Sequence, residues 1–144
     1  MKFGYKPGSC ITVDADIAGA MCKQLEQTVG LTAQNLLDAN RDADAPLHDA
    51  FEWDDTAAAE AYRLNQAAHI IRCLVTITED KEPPVRAFFT VERKVYESTE
   101  VILSDAKKAD DLLRIALREL NAFKLKYQQL QQLKPIFEAM EGLQ

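Results

Sequence analysis

The stretch "LVTITEDKEPPVRAFFTVERKVYESTEVIL" (residues 74–103) decides the fold class. "LVTIT" is β-branched and apolar, and reads as a strand. In "EDKEPP" the pair Pro83-Pro84 forbids helix and marks a turn. "VRAFFTVER" alternates, with Val85, Ala87, Phe89 and Val91 on one face and Arg86, Phe88, Thr90 and Glu92 on the other. "VYESTEVIL" alternates again. Three short strands with tight connections predict a three-stranded antiparallel β-meander. The segments on either side have a helical period, so the class expected is α+β.

On the N-terminal side, Gly4, Pro7 and Gly8 read as an irregular start. Asp14 or Asp16 is placed to cap "DIAGAMCKQLEQTV", with Ile17, Ala20, Met21 and Leu25 at helical spacing. Gly30 ends that helix, and Thr32 is an N-cap for "AQNLLDANR" with Leu36 and Leu37 inward. Asp54 or Asp55 caps "TAAAEAYRLNQAAHIIRCL", whose stripe is Ala61, Leu64, Ala68 and Ile71. That helix is apolar around more than half its girth and is expected at the centre of the fold.

On the C-terminal side, Ser104 or Asp105 caps a long helix. Its apolar residues recur every three or four positions: Leu113, Leu117, Leu120, Phe123, Tyr127, Leu130, Leu133, Phe137 and Met140. Pro135 ends or kinks it near Lys134 and can start a second, short helix. A helix over 106–134 would be about 43 Å long at about 1.5 Å per residue, more than a small domain is wide. Its distal part must fold back, project, or pack on another chain. The last is the expectation, with Phe123, Tyr127, Leu130, Leu133 and Phe137 as the oligomer interface. The chain is expected to be one domain over 1–144, divided into a helical half (1–75), a meander (76–104) and a C-terminal helical segment (105–144).

The chain has 144 residues and a net charge of −6. Residues 1–75 hold eleven acids against six Lys/Arg, and residues 76–144 twelve against eleven, so the excess sits in the first half. An acidic surface disfavours long contact with phosphates and suits a basic partner. Cys10, Cys22 and Cys73 are scattered and odd in number, which fits free thiols in a reducing cytoplasm and neither a zinc nor a redox motif. "MKFGYKPGSC" has no apolar core of a signal peptide, and no apolar run is long enough to span a membrane.

The acidic stretch "DADAPLHDAFEWDD" (42–55) holds six acids, the only Trp and one of two His. As a calcium loop it fails, because Pro46 stands at a ligand position and the central Gly is missing. His48 and His69 are too far apart in sequence for a zinc helix. No nucleophile elbow, Walker loop or dinucleotide fingerprint is present. The expectation is no enzyme, no metal and no cofactor; a small metal- or carboxylate-dependent enzyme using His48, Asp49 and Glu52 is the third-ranked alternative. "GLTAQNLLDANRDADAPLHDAFEW" (30–53) is helix-turn-helix-like, with Pro46 at the first turn of its second helix. The groove-facing side chains would be carboxylates, however, leaving Asn35, Asn40 and Arg41 as candidate nucleic-acid contacts. The competing reading is a packed connector anchored by Leu47, Phe51 and Trp53. Arg63 and Arg72 could pair with Asp54, Asp55 or Glu79. The C-terminal helix adds Lys107, Lys108, Arg114 and Arg118 as candidate contacts to DNA or a partner.

"PLHDAFEWDD" followed by "AAAEAYRLNQAAHIIR" resembles a motif of an uncharacterised family of small phage and prophage proteins. It matches at Pro46, Leu47, His48, Phe51, Glu52, Trp53, Asp54, Asp55, Ala58, Ala59, Tyr62, Arg63, Gln66, Ala67, Ile71 and Arg72, and departs at Ala45 and Ala68. "PVRAFFTV" and "LRELNAFKLKY" are similar to later segments of that family, so the resemblance covers about residues 30–130. It implies a phage or prophage origin and carries over no catalytic or binding residue. The expected function is a non-enzymatic accessory protein acting by binding in the host-cell cytoplasm. It is expected to be a homo-oligomer associated with DNA or a DNA-bound complex. The alternative is an acidic inhibitor of a host protein.

Overall fold

The computed structural model describes residues 2–54, 59–78 and 82–143. Its elements run β1 (Lys2–Tyr5), α1 (Ala15–Gln27), α2 (Ala33–Asp38), α3 (Ala59–Cys73), β2 (Leu74–Ile77), β3 (Val85–Arg86), β4 (Phe88–Glu92), β5 (Val95–Ser98), α4 (Thr99–Leu103), α5 (Ala106–Tyr127) and α6 (Lys134–Met140). The class is α+β. The chain divides into two compact units, Met1–Ser104 and Asp105–Gln144.

In the first unit the strands expected to form one meander are shared between two small antiparallel sheets, β1-β2-β3 and β4-β5. The cause lies at Ala87. Strand β3 ends at Arg86, the Ala87 N–H donates to the Leu74 carbonyl at 3.0 Å, and Phe88 opens β4 against Ser98. Ala87 and Phe88 are therefore both buried, where strict alternation would expose one of them. Residues read as an irregular start form β1, paired in register with β2 from Lys2↔Ile77 to Tyr5↔Leu74. Residues of the expected strand beyond Ser98 form α4 instead.

Helix α1 starts at Asp14, whose carboxylate accepts from the N–H groups of Asp16 and Ile17. Asp16 is spent on the sheet edge, accepting from the Phe3 N–H at 2.7 Å. The buried face of α1 is Ala18, Gly19 and Cys22, while Ile17 and Ala20 are exposed. Small residues win because the Phe3 ring lies flat on the helix; a methyl group at Gly19 would collide with that ring. Helix α2 is capped by the Thr32 hydroxyl and buries Leu36 and Leu37. Helix α3 buries Arg63, Ala67, Ile70, Ile71 and Cys73; of the expected stripe, Ile71 is buried and Ala61 exposed. Phe3, Cys22, Leu31, Leu36, Leu47, Ile71, Leu74 and Phe88 meet in one core cluster. Full burial of each large side chain there contributes about 1.5–3 kcal/mol.

The second unit is a helical hairpin. Asp105 caps α5 by accepting from the N–H groups of Lys107 and Lys108. Helix α5 ends at Tyr127, short of the expected Lys134, and so is about 33 Å long at about 1.5 Å per residue. A 3-10 turn over Gln131–Leu133 reverses the chain, and Pro135 falls in the first turn of α6, where its missing N–H costs nothing. Phe137 and Met140 of α6 are buried, and the Phe137 ring meets Phe123 edge-on at 6.2 Å.

Candidate interaction surface

Residues 42–54 of the acidic stretch fold as a packed connector, and most of the distinctive side chains among them are used by the fold. Leu47 is fully buried and Phe51 nearly so. The helix-like part is one 3-10 turn, His48–Ala50, which Pro46 precedes. Asn40 is fully buried at its root. Its amide N–H group donates to the Leu36 carbonyl at 2.7 Å, and its Oδ1 accepts from the Leu47 N–H at 3.0 Å. His48 Nδ1 lies 2.9 Å from the Asn40 carbonyl; a carbonyl only accepts, so Nδ1 carries the proton. Trp53 stacks on His48, and the Arg63 guanidinium sits 4.8 Å from the Trp53 ring centroid. Arg63 also donates to the Glu52 carbonyl and pairs with Glu60 at 3.3 Å. Of the acids expected to pair with Arg63 or Arg72, Asp55 and Glu79 lie outside the described residues. Arg72 is exposed. The carboxylates of Asp42, Asp44, Asp49, Glu52 and Asp54 form the outer face.

The three nucleic-acid candidates near this stretch are committed elsewhere. Asn40 is structural, which corrects its assignment as a contact residue. Asn35 donates to the Gly30 carbonyl at 2.9 Å and closes the loop before α2. Arg41 is exposed, but it pairs with Asp38 at 2.8 Å and with Glu60. Hydrogen bonding to Glu60 and then Asp38 raises the guanidinium's proton affinity further, and the Arg41 bonds hold both carboxyls below their ordinary range.

A cavity of about 270 Å³ lies beside the connector, lined by Ser9–Thr12, Ala50, Tyr62, Gln66, His69 and Ile70. It does not include His48, Asp49 or Glu52. His69 Nε2 lies 2.9 Å from the Ser9 carbonyl and so donates to it, leaving Nδ1 to accept from the Cys73 thiol at 3.5 Å. Among the described residues, no group of three or more His, Cys, Asp or Glu is placed to hold a metal ion, and no helix is long and apolar enough to cross a membrane.

Helix α5 is different. It is 22 residues long and strongly amphipathic, yet none of its residues is buried. Ala109, Leu113, Ala116, Leu120, Phe123 and Tyr127 follow a 4-3-4-3-4 spacing and make one seam. Leu113 is 55% exposed and Leu120 37%, the pattern of an apolar face without cover, while Phe123 stays 45% exposed beside Phe137. Of the expected interface residues, Phe123 and Leu130 are open, Tyr127 and Leu133 are half-buried, and Phe137 is already buried within its own hairpin. That last burial corrects its assignment as an interface residue. Leu113 and Leu120 belong to the expected apolar stripe but, like Ala116, were not among the expected interface residues. On the opposite face Lys107 pairs with Asp111 at 2.9 Å and Arg114 with Asp110 at 3.0 Å; Arg118 is exposed, and Lys108 is half-buried beside the cap.

No protein-family model, curated protein or solved structure matches this chain.

Proposed function

We propose that the chain is a non-catalytic binding protein of the phage-accessory kind, working in the cytoplasm as a homo-oligomer joined through α5. The observation that carries this reading is the seam from Ala109 to Tyr127, whose middle residues Leu113, Ala116 and Leu120 lie open. An apolar stripe of that length is unfavourable in water, and a second helix of the same kind is the simplest cover. The phage assignment rests on the sequence resemblance over about residues 30–130 that "PLHDAFEWDD" anchors.

For the target, DNA contact has support from one place. With the seam turned inward, Lys107, Arg114 and Arg118 fall on the outer face of α5, where a duplex could reach them. The second reading is an acidic inhibitor of a basic host protein. Residues 1–104 favour it, with seventeen acids against ten Lys/Arg.

The test is solution mass by light scattering, with and without a mixed-sequence duplex. The reading predicts an oligomer, reduced to single chains by Leu113→Asp with Leu120→Asp. A mass of one chain for the unaltered protein at all concentrations contradicts it. An oligomer whose mass rises with duplex supports DNA as target; one that ignores duplex moves the target to a basic protein.

A further inference from the structure

Resting on that self-association, we infer that two α5 helices pair parallel and in register, selected by Glu119 of each chain against Lys124 of the other. With Leu113, Leu120 and Tyr127 as one set of seam positions and Ala109, Ala116 and Phe123 as the other, Glu119 and Lys124 fall on the two flanks of the seam. In a parallel, in-register pair, a residue on the Glu119 flank meets the residue five positions later on its partner's opposite flank. That residue is Lys124, and the two-fold axis makes the contact twice.

The acids of α5 are not equivalent. Asp110 and Asp111 are each paired along the helix, with Arg114 and Lys107. Glu119 is exposed and has no ion pair among the described residues; its neighbours three and four positions away are Ile115, Ala116, Ala122 and Phe123. A carboxylate beside an apolar seam with no partner on its own helix is placed to meet a cation across the seam. Lys124 keeps a third of its side-chain surface exposed, and its contact with Glu141 is a loose 4.0 Å.

The antiparallel alternative brings Leu113 opposite Phe123 and Leu120 opposite Ala116. It also sets Glu119 against Glu119, a like-charge contact at the centre of the pair. Its compensating contact, Asp110 with Lys124, would draw on a carboxylate that Arg114 already holds at 3.0 Å. Charge therefore favours the parallel pair on both counts.

The orientation is read by disulfide trapping of Leu113→Cys in a Cys10→Ser background, Cys22 and Cys73 being buried. In the parallel pair the two new thiols face each other and oxidation gives a covalent dimer. In the antiparallel pair their backbones stand about 15 Å apart along the axis, too far for a disulfide. A second readout is charge reversal. Glu119→Lys should weaken dimerisation about tenfold, and Glu119→Lys with Lys124→Glu should restore it. Covalent dimer and rescue together support the inference. Dimers in which Leu113→Cys fails to link to itself but links to a Phe123→Cys chain overturn the orientation while leaving self-association intact. A single-chain mass at every concentration overturns both.

Discussion

The Trp53 ring lies parallel to the His48 ring, 4.5 Å between centroids and 4° between planes, and its indole N–H donates to the His48 carbonyl at 2.7 Å. The two residues are joined by stacking and by a hydrogen bond across one turn of chain. With Arg63 on the Trp53 ring, they fasten the acidic connector to α3.

Trp53→Ala should therefore destabilise the fold by about 3 kcal/mol, the low end for Trp truncations, because the ring is only half-buried. Urea denaturation measures it. A cycle with Arg63→Ala should show coupling of about 1 kcal/mol. A loss near zero would mean that the connector is held by something other than this ring.

Asn40→Ala should cost about 2–4 kcal/mol, since it leaves the buried Leu47 N–H without its acceptor and the Leu36 carbonyl without its side-chain donor. Asn35→Ala, at a half-buried loop-closing residue, should cost less. The same denaturation curves check both, and equal effects would contradict the burial of Asn40.

Among the thiols, Cys10 is exposed while Cys22 and Cys73 are buried. Burial, with Glu26 nearby, pushes the Cys22 thiol up to about 12, so almost no thiolate forms there at pH 8. Titration with a thiol reagent should find one fast group in the native protein and three after unfolding. Two fast groups would place Cys22 or Cys73 at the surface.

Acid should erase the contribution of Arg41. Asp38 and Glu60 are lowered by its hydrogen bonds, so their stabilisation is present above the unfolded carboxyl range, about pH 4, and is lost as pH falls through their lower folded values. Arg41→Gln should be less stable than the unaltered protein at pH 7 and equal to it near pH 2. A difference constant with pH would assign Arg41 a packing role instead. Both carboxylates are exposed, and the effect is accordingly small.

The α+β class, the caps Asp14, Thr32 and Asp105, and the anchors Leu47, Phe51 and Trp53 were legible because each is a local signal: period, cap chemistry, or a large apolar residue in a polar stretch. What was not legible depended on contacts distant in sequence. "KFGY" reads as coil until Phe3 is seen to need Gly19, whose missing side chain makes room for its ring. The α1 face shifted from Ile17 and Ala20 to Ala18, Gly19 and Cys22 for the same reason. Arg63 reads as a surface charge, but the Glu52 carbonyl and the Trp53 ring give its buried guanidinium partners. Asn40 looked suited to nucleic acid because amides suit bases, and the same two-sided hydrogen bonding suits a buried turn. On α5 the heptad spacing was visible throughout, but only the exposure of Leu113 and Leu120 showed which part lacks cover.

The central claim is that α5 gains its cover from another copy of the chain. Hydrogen exchange of the α5 amides across a dilution series tests it most directly, since a helix with no buried residue should be weakly protected when alone. The account predicts protection over residues 109–127 that rises with protein concentration, while protection in α3 stays constant. Protection in α5 that is the same at every concentration would contradict it.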